Sequence, residues 1–167
     1  MSEHNPYQTP TSDVSVTNGA GGLAGRWVRL GASFIDGLVV GLVMVPVMYL
    51  MGFFSYFSNG AEPPLTLMLM IAVIAFISFV AINYVPLNKT GQTVGKKLVN
   101  IRITDLQGNK PDVSTIILKR YLPVQIAGQV PIVGGLVSLV DALFIFRKDR
   151  RCVHDLIAGT QVMYVNK

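Results

Sequence analysis

Two aspartates lie inside long apolar stretches of this sequence, where an ionised carboxylate is costly. Asp36 is the only acid in the stretch Leu30–Phe54, and Asp141 is the only one in Leu122–Phe146. Placing such a group in hydrocarbon costs at least about 2.5 kcal/mol, so an intramembrane acid normally faces a partner or a water-filled cavity. The two carboxylates could line a path for a cation or a proton, or they could fix helix packing within a buried polar network. The sequence leaves both interpretations open.

Arg29 lies seven residues before Asp36 and therefore on the same face of a helix. We expect no direct bond between them, because the separation along the axis is about 10 Å and helical side chains lean toward the N-terminus. Asp36 is instead expected to face another helix, with Asn83 as a candidate partner. Gly37 and Gly41 form a G-x-x-x-G pattern, which permits close contact between membrane helices.

A thiol, an imidazole and a carboxylate come together near the C-terminus, at Cys152, His154 and Asp155. Their spacing matches no standard zinc pattern, and the one other histidine, His4, lies in the polar N-terminal tail. We therefore expect no metal and no cofactor, and we expect His154 and Asp155 to bond to the backbone or to nearby arginines. The residue pattern supports no hydrolytic or redox enzyme.

The elements that must position these residues are apolar. The chain of 167 residues is 51% apolar and 14% charged, whereas a soluble domain is about 25% charged, so a water-soluble enzyme is excluded. A membrane core of about 30 Å takes roughly 20 apolar residues to cross. Three stretches reach that length, namely residues 30–54, 65–87 and 122–146. The sequence predicts a mainly α integral membrane bundle formed by residues 23–167, preceded by a disordered cytoplasmic tail at residues 1–22.

The basic residues predict the orientation, because Lys and Arg in short loops stay on the cytoplasmic side. They flank the first stretch on its N-terminal side and follow the second, whereas residues 55–64 contain none. The third stretch is followed at once by four more bases, which one crossing would place outside. The breakers in Gln125–Gly135 allow a short helical hairpin, with helices over Ser114–Gln129 and Pro131–Phe146. The alternative is one tilted helix that breaks the charge rule.

Two short segments alternate apolar and polar residues, which is typical of strands. The first follows Leu98 and ends at the turn signal Gly108-Asn109, and the second is Thr160–Val165. They can pair only if both lie on one side of the membrane. The predicted interfacial strand pair therefore favours the hairpin and places both termini in the cytoplasm.

Three pieces of the chain, taken together and in order, resemble the RDD family of bacterial integral membrane proteins, which is named for one arginine and two aspartates. The pieces are Arg29-Leu-Gly-Ala-Ser-Phe-Ile-Asp36, then Thr90-Gly-Gln-Thr-Val-Gly-Lys-Lys-Leu98 with Ile101-Arg-Ile-Thr-Asp105, and Val153-His-Asp-Leu-Ile-Ala-Gly-Thr160. On this resemblance the family's arginine falls on Arg29 and its first aspartate on Asp36. Its last aspartate falls on Asp155, with Asp141 as the rival.

The resemblance implies a multipass protein of the bacterial inner (plasma) membrane that transports an unidentified ligand, and some members are proposed to be sodium/proton antiporters. We expect transport of an ion or small solute, with Arg29 stabilising or gating the carboxylates and Asp36, with Asp141 or Asp155, binding a cation or proton. Because three or four short helices enclose little volume, a pathway would require a homo-oligomer. The alternative is a scaffold or accessory subunit whose basic cytoplasmic face docks a partner or anionic lipid.

The lipid bilayer is the one partner that every version of this prediction requires, and no nucleic acid is expected. Juxtamembrane bases contribute about 1 kcal/mol each near an anionic membrane surface. The residues predicted to meet lipid headgroups are Lys96, Lys97, Arg147 and Arg150.

Overall fold

The computed structural model describes residues 22–130 and 133–165, and the fold is mainly helical with one small antiparallel sheet. The predicted disordered tail, residues 1–22, lies outside the described residues except for Gly22. The elements in chain order are α1 (Arg26–Leu50), α2 (Phe53–Ser58), α3 (Leu65–Thr90), α4 (Val94–Leu98), β1 (Ile101–Asp105), a π-helix (Thr115–Tyr121), α5 (Leu122–Gly128), α6 (Val133–Leu143), a 3-10 turn (Phe144–Phe146), α7 (Val153–Ala158) and β2 (Thr160–Tyr164).

Two helices in the described part of the chain are long and apolar enough to cross a membrane. They are α1, with 25 residues, and α3, with 26, which at 1.5 Å per residue extend about 38 Å. The first begins four residues before the predicted stretch and ends at Leu50, because Gly52 adopts a positive φ of 70° and turns the chain into α2. The second begins at Leu65, as predicted. No residue in the most apolar window of α3 is fully buried, but the side chains on one side of the helix, among them Phe76 and Phe79, are half-buried.

The third apolar stretch reverses direction, as the hairpin prediction requires. The π-helix continues directly into α5, while α6 continues into the 3-10 turn, and α5 packs against α6. The two helices are antiparallel, since Gly134 near the start of α6 lies against Gly128 at the end of α5. A Cβ atom on Gly134 would overlap the carbonyl oxygen of Gly128, so only glycine permits this approach. The single tilted helix considered from the sequence is not found.

The predicted strands form an antiparallel pair that closes the base of the helices. Ile101 lies opposite Tyr164, and Asp105 lies opposite Thr160. Side chains of β1 and β2 pack with the start of α1 in a small buried apolar cluster that includes Ala24 and Ala32. The pairing brings the segment that follows α3 and the C-terminal segment to the same end of the molecule.

Helix α4 docks against α1 through Gly95, and this contact differs from the one that the sequence predicts. A Cβ atom on Gly95 would overlap the carbonyl oxygen of Ala32 and lie 3.0 Å from the carboxyl carbon of Asp36. By contrast, Cβ atoms on Gly37 or Gly41 would meet nothing within 4 Å, so the G-x-x-x-G pattern makes no helix contact within the described chain. Close packing occurs where the short helix α4 crosses α1.

Candidate functional site

Six charged side chains are buried among the described residues, and they lie near the end of the bundle where the strand pair sits. Three are basic and three are acidic, so their formal charges sum to zero. They are Arg29, Lys96, Arg120, Asp36, Asp141 and Asp155. Buried charges are tolerated only when they are paired and hydrogen-bonded, so the partners of each one decide what it can do.

Asp155 is clamped between two arginines from distant parts of the chain. Its Oδ2 lies 2.5 Å from Nη2 of Arg29 on α1, and its Oδ1 lies 2.5 Å from Nη1 of Arg120 on the π-helix. The hydroxyl of Thr160 also donates to Oδ1, and the backbone N–H of Cys152 donates to Oδ2. Asp155 has no exposed surface, and every direction from its carboxylate is occupied.

Burial by itself would raise the pKa of Asp155, because it disfavours the charged form. The positive charges of Arg120 and Arg29 outweigh burial and hold the pKa of this carboxyl well below its usual range. Asp155 is therefore ionised at every physiological pH. It acts as a fixed negative centre that joins α1, the π-helix and α7.

His154 connects this clamp to Asp141. Its Nδ1 lies 2.7 Å from Oδ2 of Asp141, and its Nε2 lies 3.2 Å from Nη2 of Arg120. Because a guanidinium only donates, Nε2 must accept, so Nδ1 carries the proton and donates to Asp141. Burial lowers the pKa of His154, and the nearby charge of Arg120 lowers it further. The imidazole is thus neutral at pH 7 and bridges a carboxylate and a guanidinium.

Asp36 and Asn83 together cap the first turn of α4. The backbone N–H of Gly95 donates to Asp36 at 2.7 Å, and that of Val94 donates to the Asn83 carbonyl at 2.9 Å. The hydroxyl of Thr93 donates to the second oxygen of Asp36 at 2.5 Å. The sequence suggests Asn83 as a partner for Asp36, but these two side chains do not bond each other. They hold the same short helix from α1 and from α3.

Two of the four residues predicted to meet lipid headgroups are placed differently from that expectation. Lys96 is only 6% exposed, and its ammonium lies 3.8 Å from Asp36. Arg150 is partly buried, and its guanidinium donates to the carbonyl of Leu23 while its own carbonyl accepts from Arg29. Lys97 and Arg147 are exposed, which fits the predicted location.

A cavity of about 380 Å³ lies between α1, α3, α5 and the ends of α4, α6 and α7. Its wall is largely apolar, with Phe76 and Phe79 from α3 and Val124 from α5. The ionisable side chains in its wall are His154 and four of the six buried charged residues, namely Asp36, Lys96, Arg120 and Asp141. The cavity thus joins the Asp36 cap to the Asp141–His154 pair.

Cys152, His154 and Asp155 lie close enough that one ligand atom from each falls within 4.8 Å of the others. Their surroundings do not suit a metal cation. Both oxygens of Asp155 are bound by arginines, and Arg29 also approaches the sulfur of Cys152 at 3.7 Å. Burial raises the pKa of the Cys152 thiol to about 11, so the thiolate that a metal requires is disfavoured.

The sequence interpretation missed the importance of Arg120. It stands among seven bases after the second apolar stretch, and nothing in that pattern marks it as buried. The one available signal is its place at the start of the third apolar stretch, directly before Tyr121 and Leu122. The π-helix, which is rare and is often found at functional sites, carries it into the cluster.

Comparison with known proteins agrees with the motifs described above. The model of the RDD family matches residues 23–159 of this chain. The chain is 31% identical over 146 residues to the uncharacterised protein YckC of Bacillus subtilis (strain 168), covering 84% of each. It is 24% identical over 162 residues to the uncharacterised protein YxaI of the same organism, covering 84% of this chain and 97% of YxaI. No solved structure matches it.

Proposed function

We propose that this protein, which belongs to the RDD family, is a membrane transporter that moves an ion or small solute, coupled to a proton, through the cavity between its helices. The observation that carries the proposal is the placement of Asp141 and His154 at the wall of that cavity. Both can exchange a proton, and the cavity adjoins the two helices that are long enough to span a bilayer.

The proposed topology has α1 and α3 crossing the inner membrane of a bacterium and the α5–α6 hairpin entering from the cytoplasmic side. Residues 51–64, which link α1 to α3, contain no Lys or Arg, whereas bases follow α3 and follow the hairpin. The positive-inside rule then places the strand pair and both termini in the cytoplasm. The paired strands favour this arrangement, because they hold the two basic segments at one end.

Asp141 is the better candidate for the proton site among the acids considered. Asp155 is fixed by two arginines, and Asp36 is fixed by Thr93 and the backbone of α4. In the part of the chain that the structure describes, every hydrogen-bond donor to Asp141 belongs to His154. A proton that arrives on this pair changes its charge without breaking the arginine clamp.

The test is flux in proteoliposomes that contain a pH-sensitive dye. We expect the parent protein to dissipate an imposed pH gradient when the transported solute or ion is present, tested over a panel of alkali cations and small organic acids. Asp141→Asn, which preserves shape and removes the charge, should abolish this flux while the protein still inserts. Asp149→Asn is the matched control, because Asp149 lies outside the cavity, forms an exposed ion pair with Arg147 and otherwise accepts from the backbone N–H of Arg151 among the described residues.

A parent protein that carries no flux under any gradient would contradict the proposal. That result would favour the second function, a membrane scaffold that docks a partner or anionic lipid. The exposed bases Lys97, Lys119 and Arg147 would be its contact surface.

A further inference from the structure

The cavity has the size and composition of a site for a small organic molecule. Ligand pockets typically have volumes of about 300–1,000 Å³ and are mostly apolar, with a few polar groups that fix orientation. This cavity has a volume of about 380 Å³, with Val40, Phe76, Phe79 and Val124 forming an apolar wall. A bare inorganic ion would leave that apolar wall without a partner.

The carboxylate oxygens at the cavity already accept hydrogen bonds. Asp36 accepts from the hydroxyl of Thr93 on one oxygen and from the N–H of Gly95 on the other. Asp141 accepts from the backbone and the ring of His154. A cation that entered would have to displace one of these donors to gain a carboxylate.

Three side chains at the cavity have hydrogen-bond donors with unused capacity. The ammonium of Lys96 is buried and has three protons. Among the described residues it makes one hydrogen bond, at 3.5 Å to Thr93, and lies 3.8 Å from Asp36. The Nε of Arg120 and the hydroxyl of Tyr121 are buried and have no hydrogen-bond partner among the described residues. All three residues line this cavity and a second, adjoining cavity of about 230 Å³.

We infer that the cavity binds a small organic anion with an apolar body, namely a short aliphatic or aromatic carboxylate. Its carboxylate would accept from the ammonium of Lys96 and from the hydroxyl of Tyr121, and its body would lie against Phe76 and Phe79. This inference rests on the proposed function, because it names the class of solute that the transporter carries.

The charges of the cluster link binding of this anion to a proton. With His154 neutral, the three buried bases and three buried acids cancel, so a bound carboxylate leaves one uncompensated negative charge. His154 is faced by Asp141 on α6, Arg120 on the π-helix and Asp155 on α7, and it shares the cavity wall with Lys96. A proton taken up by the Asp141–His154 pair restores neutrality, so the anion should bind more tightly as the pH falls.

The test compares three isosteric probes on the full-length protein in detergent micelles, by isothermal titration calorimetry: benzoate, benzamide and benzamidinium. We expect the Kd of benzoate to be lower than that of neutral benzamide by about tenfold or more, because the amide loses a charge-assisted hydrogen bond. Benzamidinium should not bind. Tighter binding of benzamidinium than of benzoate, or no binding of benzoate, would overturn the inference.

Lys96→Gln should weaken benzoate binding about tenfold or more, and Lys97→Gln should leave it unchanged, because Lys97 is the exposed neighbour on the same helix. If Lys96→Gln fails to fold, Tyr121→Phe removes only a hydroxyl and should also weaken binding. Equal benzoate affinity in the parent, Lys96→Gln and Tyr121→Phe would refute the inference.

Binding and flux separate the two proposals. Benzoate binding without carboxylate flux in proteoliposomes would support the anion site but contradict the transport function. Proton-coupled flux of another solute, with no benzoate binding, would support the transport function but contradict the assignment of a carboxylate ligand.

Discussion

Asp155→Asn should destabilise the fold strongly, because it removes the one carboxylate that two buried arginines share. Arg29, Arg120 and Asp155 have side-chain exposures of 6%, 2% and 0%. Removing one partner of a buried pair typically costs about 3–5 kcal/mol, since the remaining charge is left uncompensated. The unfolding equilibrium should therefore shift by between about 10²-fold and 10⁴-fold.

The chain carries its own reporter for this measurement. Cys152 is the single cysteine, it is 5% exposed, and it lies beside the clamp. Unfolding by guanidinium in detergent would be followed through reaction of Cys152 with a thiol-specific fluorescent dye, and through helical circular dichroism as an independent probe. Asp149→Asn is the control, because the Arg147–Asp149 pair is exposed and such pairs contribute about 1 kcal/mol or less.

The pH dependence of this difference has a definite sign. Since the pKa of Asp155 is lowered in the folded state, its contribution is fully present above the unfolded pKa of about 3.9 and is lost only as the pH falls further. The difference between parent and Asp155→Asn should stay constant from about pH 7 to 8, where neither a carboxyl, His154 nor an arginine changes its charge. Equal stability of Asp155→Asn and Asp149→Asn would refute the clamp.

Three further predictions concern the pH response, the hairpin and the topology. Because the pKa of His154 is lowered by folding, the free energy of unfolding should decrease as the pH falls below about 6.5, and His154→Gln should remove that decrease in denaturant titrations. Gly134→Ala should destabilise the protein by about 1–3 kcal/mol, because its Cβ would overlap a facing carbonyl. Gly135→Ala is the control and should not destabilise it, because that Cβ meets nothing within 4 Å. Equal unfolding curves for the two variants would contradict the packed hairpin. Cysteines at exposed Lys148 and Asn59 should be labelled in intact cells from opposite sides of the membrane, and labelling of both from the periplasm would exclude the proposed topology.

Much of the fold was predictable, because membrane-length helices and strands have local signatures. The start of α3 at Leu65 follows from uninterrupted apolar residues, and the reversal between α5 and α6 follows from the breakers in Gln125–Gly135. The end of α1 was less predictable. The apolar residues continue to Phe54, but the positive φ at Gly52 ends the helix earlier.

The members of the buried cluster were partly predictable, whereas their partners were not. Arg29, Asp36 and Asp155 stand out because they match a family motif or interrupt an apolar stretch. Their pairing depends on contacts such as Arg29 with Asp155, 126 residues apart, and no local pattern encodes such a contact. Arg120 and Lys96 look like ordinary juxtamembrane bases, since residue type alone does not reveal burial.

The order in which the clamp is synthesised follows from its long sequence separation. Arg29 leaves the ribosome 126 residues before Asp155, a delay of roughly 6–25 s at about 5–20 residues per second. During that interval Arg29 and then Arg120 are made without the carboxylate that pairs with both. The helices therefore cannot reach their final packing until α7 and β2 emerge. A chain that stops before residue 155 exposes two arginines without their carboxylate partner to the cell's quality control.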